Sequence, residues 1–231
     1  MRPTFGQEYI EAEFRRIANG LSIPISVYLV GGGAMSLRDL KAATKDIDLV
    51  VANGENYGQL WHALMDLGYA EVKSLAAEYQ TLGATSCVEN LDGCRVDIFN
   101  LQVANKLMLT DGMCDRSEPF LRTDGLNVSL VANEDILLFK LIAGRNDDIE
   151  DMNMLVQAGL DDEAVQAELD QQINRLGDDQ FVTYANEALI ELDERYGVTT
   201  AIEDRIQELT TRRSASRTER TDGCRKTGGN S

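Results

Sequence analysis

Residues Val27 to Val51 read VYLVGGGAMSLRDLKAATKDIDLVV. An apolar run (Val27 to Val30) meets three glycines (Gly31, Gly32, Gly33), a short helical stretch follows, and Asp46-Ile47-Asp48 opens a second apolar run. Side chains alternate along a strand, so Asp46 and Asp48 stand together while Ile47, Leu49 and Val51 turn to the core. Adjacent carboxylates repel each other unless a cation lies between them, which points to a hard, oxygen-seeking divalent metal.

A dinucleotide-binding turn is the competing interpretation, because Gly31-x-Gly33 follows a strand and opens a helix. The acids exclude it. In that fold the ribose-binding acid follows the second apolar run, whereas Asp46 and Asp48 precede Leu49-Val50-Val51, and the last glycine of the pattern is Ser36. If the two strands are antiparallel, the end of the first and the start of the second share one sheet edge. Glycine amides and acid pair then face one pocket, a phosphate cradle beside a metal site.

Helical spacing over Gly6 to Ala18 places Tyr9, Phe14 and Ile17 on one side, and Gly20 stops the helix. Ile23 to Val30 is the first strand, Ala34 to Leu40 a short helix, and Ile47 to Val51 the second strand. Asn56 to Leu67 forms an amphipathic helix closed by Gly68, with Leu60, Leu64 and Leu67 inward, Trp61 in the core and His62 on the surface. Weaker strands fall at Tyr69 to Val72 and Thr85 to Glu89. GCRVDIFN then alternates, with Val96 and Ile98 on one face and Arg95, Asp97 and Phe99 on the other. An isolated acid in a strand is ordinarily solvent-facing on an edge, but Asp97 would give the acid pair a third carboxylate.

Val103 to Leu109 is expected to be a short helix, Thr110 to Thr123 a polar loop, and Leu126 to Val131 a last strand. From Asn133, a plausible N-cap followed by Glu134 and Asp135, the pattern is all helical. Lys140 sits within the apolar run ILLFKLIAG; it either snorkels from a core helix or is aimed into a pocket. Asp148 and Asp151, three apart, are neighbours on one helical side and read as solvated charge. Helices over Asp161 to Leu176, Asp178 to Arg195 and Thr199 to Thr211 follow. The organisation expected is a core over 1–131, a helical domain over 132–212 and a disordered basic tail over 213–231.

With 231 residues and 43% hydrophobic composition the chain can bury a core. No apolar run approaches the ~20 residues that span a bilayer, and the amino terminus is too charged for a signal peptide. A cytoplasmic protein without a membrane partner is expected. Four cysteines without a C-x-x-C pair and one histidine argue against a zinc site, a disulfide framework and triad chemistry. Acids outnumber bases 39 to 22, for a formal charge of −17. Such a surface, with arginine favoured over lysine, looks like the habit of organisms that keep molar salt in the cytoplasm. It ordinarily opposes nucleic-acid binding, but at ~1 M salt the Debye length is ~3 Å and only local contacts count.

At these residues the sequence resembles the DNA polymerase beta-like nucleotidyltransferase superfamily: Gly32-Gly33 after a strand, Asp46-Ile47-Asp48 opening the next, and Asp97 on a later one. FKLIAGRNDDIEDMNML is similar to the downstream helical motif of small prokaryotic nucleotidyltransferases from toxin–antitoxin and abortive-infection systems. The resemblance implies an α/β (α+β) fold, a small mixed sheet flanked by helices with a helical carboxyl-terminal part. It implies that Asp46, Asp48 and Asp97 hold two magnesium ions (manganese possible), with Asp97 completing one site and helping to deprotonate the acceptor. Gly32, Gly33, Lys140 and Asp148 would bind the nucleoside triphosphate. Many relatives carry Gly-Ser where this chain has Gly32-Gly33, and the lysine-to-acid spacing is short. The acceptor implied is an RNA or tRNA end. The alternatives are a protein side chain modified by an AMP-transferring antitoxin, or a catalytically silent partner with the same fold. A cognate toxin or antitoxin protein is a further implied partner.

Overall fold

The computed structural model describes residues 2–73, 83–103, 107–143, 145–176 and 179–211. Helix α1 (Gln7–Gly20) leads into β1 (Ile25–Val30), α2 (Gly31–Leu37), β2 (Asp46–Val51) and α3 (Gly54–Asp66). Then come β3 (Ala70–Glu71), β4 (Ser86–Glu89), β5 (Arg95–Asn100), β6 (Gln102–Val103) and β7 (Leu107–Met108). Helix α4 (Asp111–Arg116), β8 (Glu118–Arg122) and β9 (Leu126–Leu130) complete the sheet region. The helices α5 (Asn133–Ala143), α6 (Asn146–Ala158), α7 (Asp162–Leu176) and α8 (Asp179–Tyr196) follow, and residues 203–211 are also helical.

Seven strands form one mixed sheet in the order β3-β4-β5-β2-β1-β9-β8. Strand β1 runs antiparallel to β2 and parallel to β9, and β2 runs parallel to β5. The central strands are covered on both faces, so β1, β2 and β5 read as near-continuous apolar runs; Val27, Leu29, Ile47, Leu49, Val50, Val51, Val96 and Ile98 are wholly buried. The buried side chains form one cluster that continues from the sheet into the helices beyond Asn133. Arg38, just past α2, fixes this junction by donating to the carbonyls of Val131 at 2.8 Å and Leu130 at 3.2 Å. Asn53 caps α3 by accepting from the Asn56 amide at 2.8 Å, a contact worth ~1 kcal/mol.

The mixed α/β sheet with helices after Asn133 is as expected, and four local expectations need correction. The helix expected over Val103 to Leu109 is instead an antiparallel β6–β7 pair, with Val103 opposite Leu107; residues 104–106 lie outside the described residues. The polar loop expected over Thr110 to Thr123 holds α4 and β8. Thr110 caps α4, and Arg116 reaches Asp135 and Glu168 at 2.6 Å each, so the charges of this stretch serve tertiary pairing. Trp61 is only half-buried and stacks edge-on against exposed His62, with ring centroids 5.1 Å apart. Asp148 and Asp151 are buried rather than solvated. The expected tail after Arg212 lies outside the described residues.

Candidate active site

The register places the acids. Asp48 stands opposite Val30 on β1 and opposite Asp97 on β5, while Asp46 stands opposite Arg95. Cross-strand partners project to the same sheet face. Asp46, Asp48, Arg95 and Asp97 therefore share one face, and the edge-strand alternative for Asp97 fails: β5 lies between β4 and β2, and Asp97 is 3% exposed.

Because β1 is antiparallel to β2, the glycine turn meets the acids. Gly31 opens α2 with a φ of +64°, and a Cβ there would stand 2.6 Å from Asp48 Oδ2. Both facts require glycine. Gly31→Ala is expected to lose at least ~1–2 kcal/mol from the left-handed backbone alone, with displacement of Asp48 added. Urea denaturation checks this, and unchanged stability would refute the close approach. Gly32 lies under Thr44, whose Oγ1 would be 2.9 Å from a Cβ at that position. Gly33 turns to the core, where a Cβ would meet Leu29 Cδ1 at 3.1 Å. The serine common at this position would press on Leu29.

A cleft of about 780 Å³ opens beside the turn, a size that suits a nucleotide. Gly32, Thr44, Asp46 and Asp48 line it from the sheet side, Lys41 and Lys45 from the loop before β2, and Lys140, Arg145, Asp147, Asp148 and Asp151 from α5, α6 and the N-cap of α6. Asp48 also borders a narrower slot with Phe99, Val103 and Phe139. Gly33 and Asp97 do not line the cleft. Of the residues expected in the site, the structure gathers Gly32, Asp46, Asp48, Lys140 and Asp148 around one space.

Charge in the cleft is paired across elements. Lys140 Nζ is buried between Asp148 Oδ1 at 2.7 Å and Asp151 Oδ2 at 2.6 Å. Lys41 reaches Asp151 Oδ1 at 2.7 Å, Lys45 reaches Asp147 at 3.2 Å, and Arg145 Nε reaches Asp148 Oδ2 at 2.8 Å. Burial opposes the charge on Lys140, but Asp148 and Asp151 outweigh it and hold the ammonium above the ordinary lysine range. Burial likewise opposes ionisation of Asp148, yet Lys140 and Arg145 bring its pKa down to about 2. Asp48 makes no such ion pair among the described residues, and Arg145 and Lys140 act on it only weakly. Burial first, then Asp97 and Asp46, push it up to about 7. Asp97 is raised as well, by burial, against the opposing pull of Arg95 and the Cys87 thiol.

Among the described residues no three histidine, cysteine or acidic side chains are grouped as a metal cage. Magnesium seldom needs one: one or two carboxylates plus substrate phosphates and water commonly suffice. Asp46 and Asp48 both line the cleft and fit that donor set, with Asp46 Oδ1 already ion-paired to Arg2 and Arg95.

Lys41, Lys45, Arg95 and Asp151 escape the sequence reading. Arg95 carried a usable signal, since it lies two residues from Asp97 and shares its face. The lysines carried none, because only the tertiary path of the loop before β2 brings them to α6. No helix among the described residues is long and apolar enough to cross a membrane. No curated protein matches the chain. The family model that does match spans residues 12–178, from α1 through the acid-bearing strands and the Lys140–Asp148 helices, and by it the chain belongs to the nucleotidyltransferases of unknown function grouped as DUF6036.

Proposed function

We propose that the chain transfers a nucleoside monophosphate from a nucleoside triphosphate to a hydroxyl acceptor, with an RNA end such as that of tRNA as the favoured acceptor. The observation that carries this reading is the meeting of Asp46 and Asp48 with Gly32 and the cleft lysines at one sheet edge. Asp46 and Asp48 would hold magnesium or manganese. A bound divalent ion supplies charge stabilisation to the triphosphate and to the oxygens that enter and leave phosphorus.

The protein's own groups would do the positioning. Lys41 and Lys45 are partly exposed, so each can exchange a carboxylate partner for a phosphate oxygen. Lys140 has three donors, of which Asp148 and Asp151 take two; the third would serve a phosphate. Asp148 would act in nucleotide binding by fixing Lys140 and Arg145. A place in a toxin–antitoxin or abortive-infection system, opposite a cognate protein, follows from the sequence resemblance.

The test incubates the full chain with magnesium and each α-labelled nucleoside triphosphate, adding total RNA or total protein. Magnesium-dependent label in RNA is the expected result. Label in protein alone would replace it with the AMP-transferring antitoxin reading. Label in neither, with every nucleotide, would leave the silent binding partner and overturn catalysis.

A further inference from the structure

Arg95 has no part in the mechanism above, yet it occupies the centre of the carboxylate face. Its guanidinium is buried, with Nε 3.0 Å from Asp46 Oδ1 and 3.2 Å from Asp97 Oδ1. Arg2 approaches the same Asp46 oxygen at 2.5 Å. Asp97, which would complete a second ion's shell, is absent from the cleft lining, whereas Asp46 and Asp48 belong to it. The position between Asp46 and Asp97, where a cation would bridge them, thus holds a guanidinium.

We propose that Arg95 stands in for one of the two cations, so that the chain binds a single divalent ion per nucleotide, on Asp46 and Asp48. This rests on the nucleotidyltransferase reading and changes its metal count. For an ion to take Asp97 as ligand, the Arg95 guanidinium must give up its place between the two carboxylates, and separating a buried charge pair is strongly disfavoured. The strand register makes the arrangement rigid, because Arg95 and Asp97 are fixed opposite Asp46 and Asp48 by the β2–β5 ladder. Asp97 then serves as the counter-charge of Arg95, and Arg95 is a positioning residue that orients Asp46 toward the cleft. Neither side chain needs to touch substrate.

The test counts ions. The full chain is dialysed to equilibrium with manganese and a non-hydrolysable triphosphate analogue, and bound manganese is measured per bound nucleotide by electron paramagnetic resonance. Wild type should retain one ion per nucleotide, and Arg95→Met, which frees Asp97, should approach two. A ratio of two in wild type, or of one in both chains, overturns the proposal. If Arg95→Met fails to fold, the wild-type ratio decides alone: one supports the proposal and two overturns it. A wild-type chain that retains no nucleotide removes the nucleotidyltransferase reading itself, and this proposal with it.

Discussion

Asp48→Asn is expected to lose nucleotide transfer by at least about a hundredfold, on the scale of removing one electrostatic stabiliser from an active site. It should also lose most of the thermal stabilisation that magnesium and triphosphate give together. A ligand that binds only the native state at a hundredfold excess over its dissociation constant adds ~2.7 kcal/mol. In wild type this shift should need both ligands, because two cleft carboxylates alone are a poor magnesium shell and the triphosphate supplies the remaining oxygens. Without ligand the variant should be no less stable than wild type. Asp48 is crowded by Asp46 and Asp97, which outweigh the weaker pull of Arg145 and Lys140, and it makes no ion pair among the described residues, so the amide removes repulsion without removing a pair. Differential scanning fluorimetry with each ligand and with both, beside a label-transfer assay, separates these effects. An Asp48→Asn chain that keeps the joint shift and the activity would sink the nucleotidyltransferase reading.

What the sequence discloses here follows from the period of each element. Strand alternation has a period of two, so KDIDLVV and GCRVDIFN display which acids share a face before any pairing is known. The antiparallel β1–β2 pairing stays conditional in the sequence, because α2 and the loop over residues 38–45 join the strands and either direction would fit their length. Where short elements carry no period, as in β6, β7 and α4, tertiary contacts decide. Thr110, for example, both caps α4 and donates to Glu168 at 2.9 Å, from a helix 58 positions away. The acids of α6 show the same limit from the other side. Carboxylates three apart on a helix look solvated, and nothing local reveals that Lys140, on the preceding helix, closes over both.

That closure sets the second large effect. Lys140→Met keeps the apolar stem, and a snorkelling lysine would tolerate the change. With the ammonium held between Asp148 and Asp151 instead, the variant leaves two buried carboxylates short of their counter-charge. Breaking a buried pair by removing one partner costs about 3–5 kcal/mol, so urea denaturation at pH 7 should show a loss of that order. The pH dependence follows from Asp148. Its folded pKa of about 2 lies below the ordinary aspartate value of ~3.9. In wild type it therefore adds stability that is present above about pH 4 and is lost as pH falls toward 2. Without Lys140 that depression shrinks, and protonation relieves the unpaired acids. The gap between wild type and variant should be widest near neutrality and narrow as pH falls through 4. Adding Asp148→Asn and Asp151→Asn to the variant should recover part of the loss at pH 7. If Lys140→Met alone is as stable as wild type at pH 7, the ammonium does not hold these helices together, and the buried triad is not a structural unit.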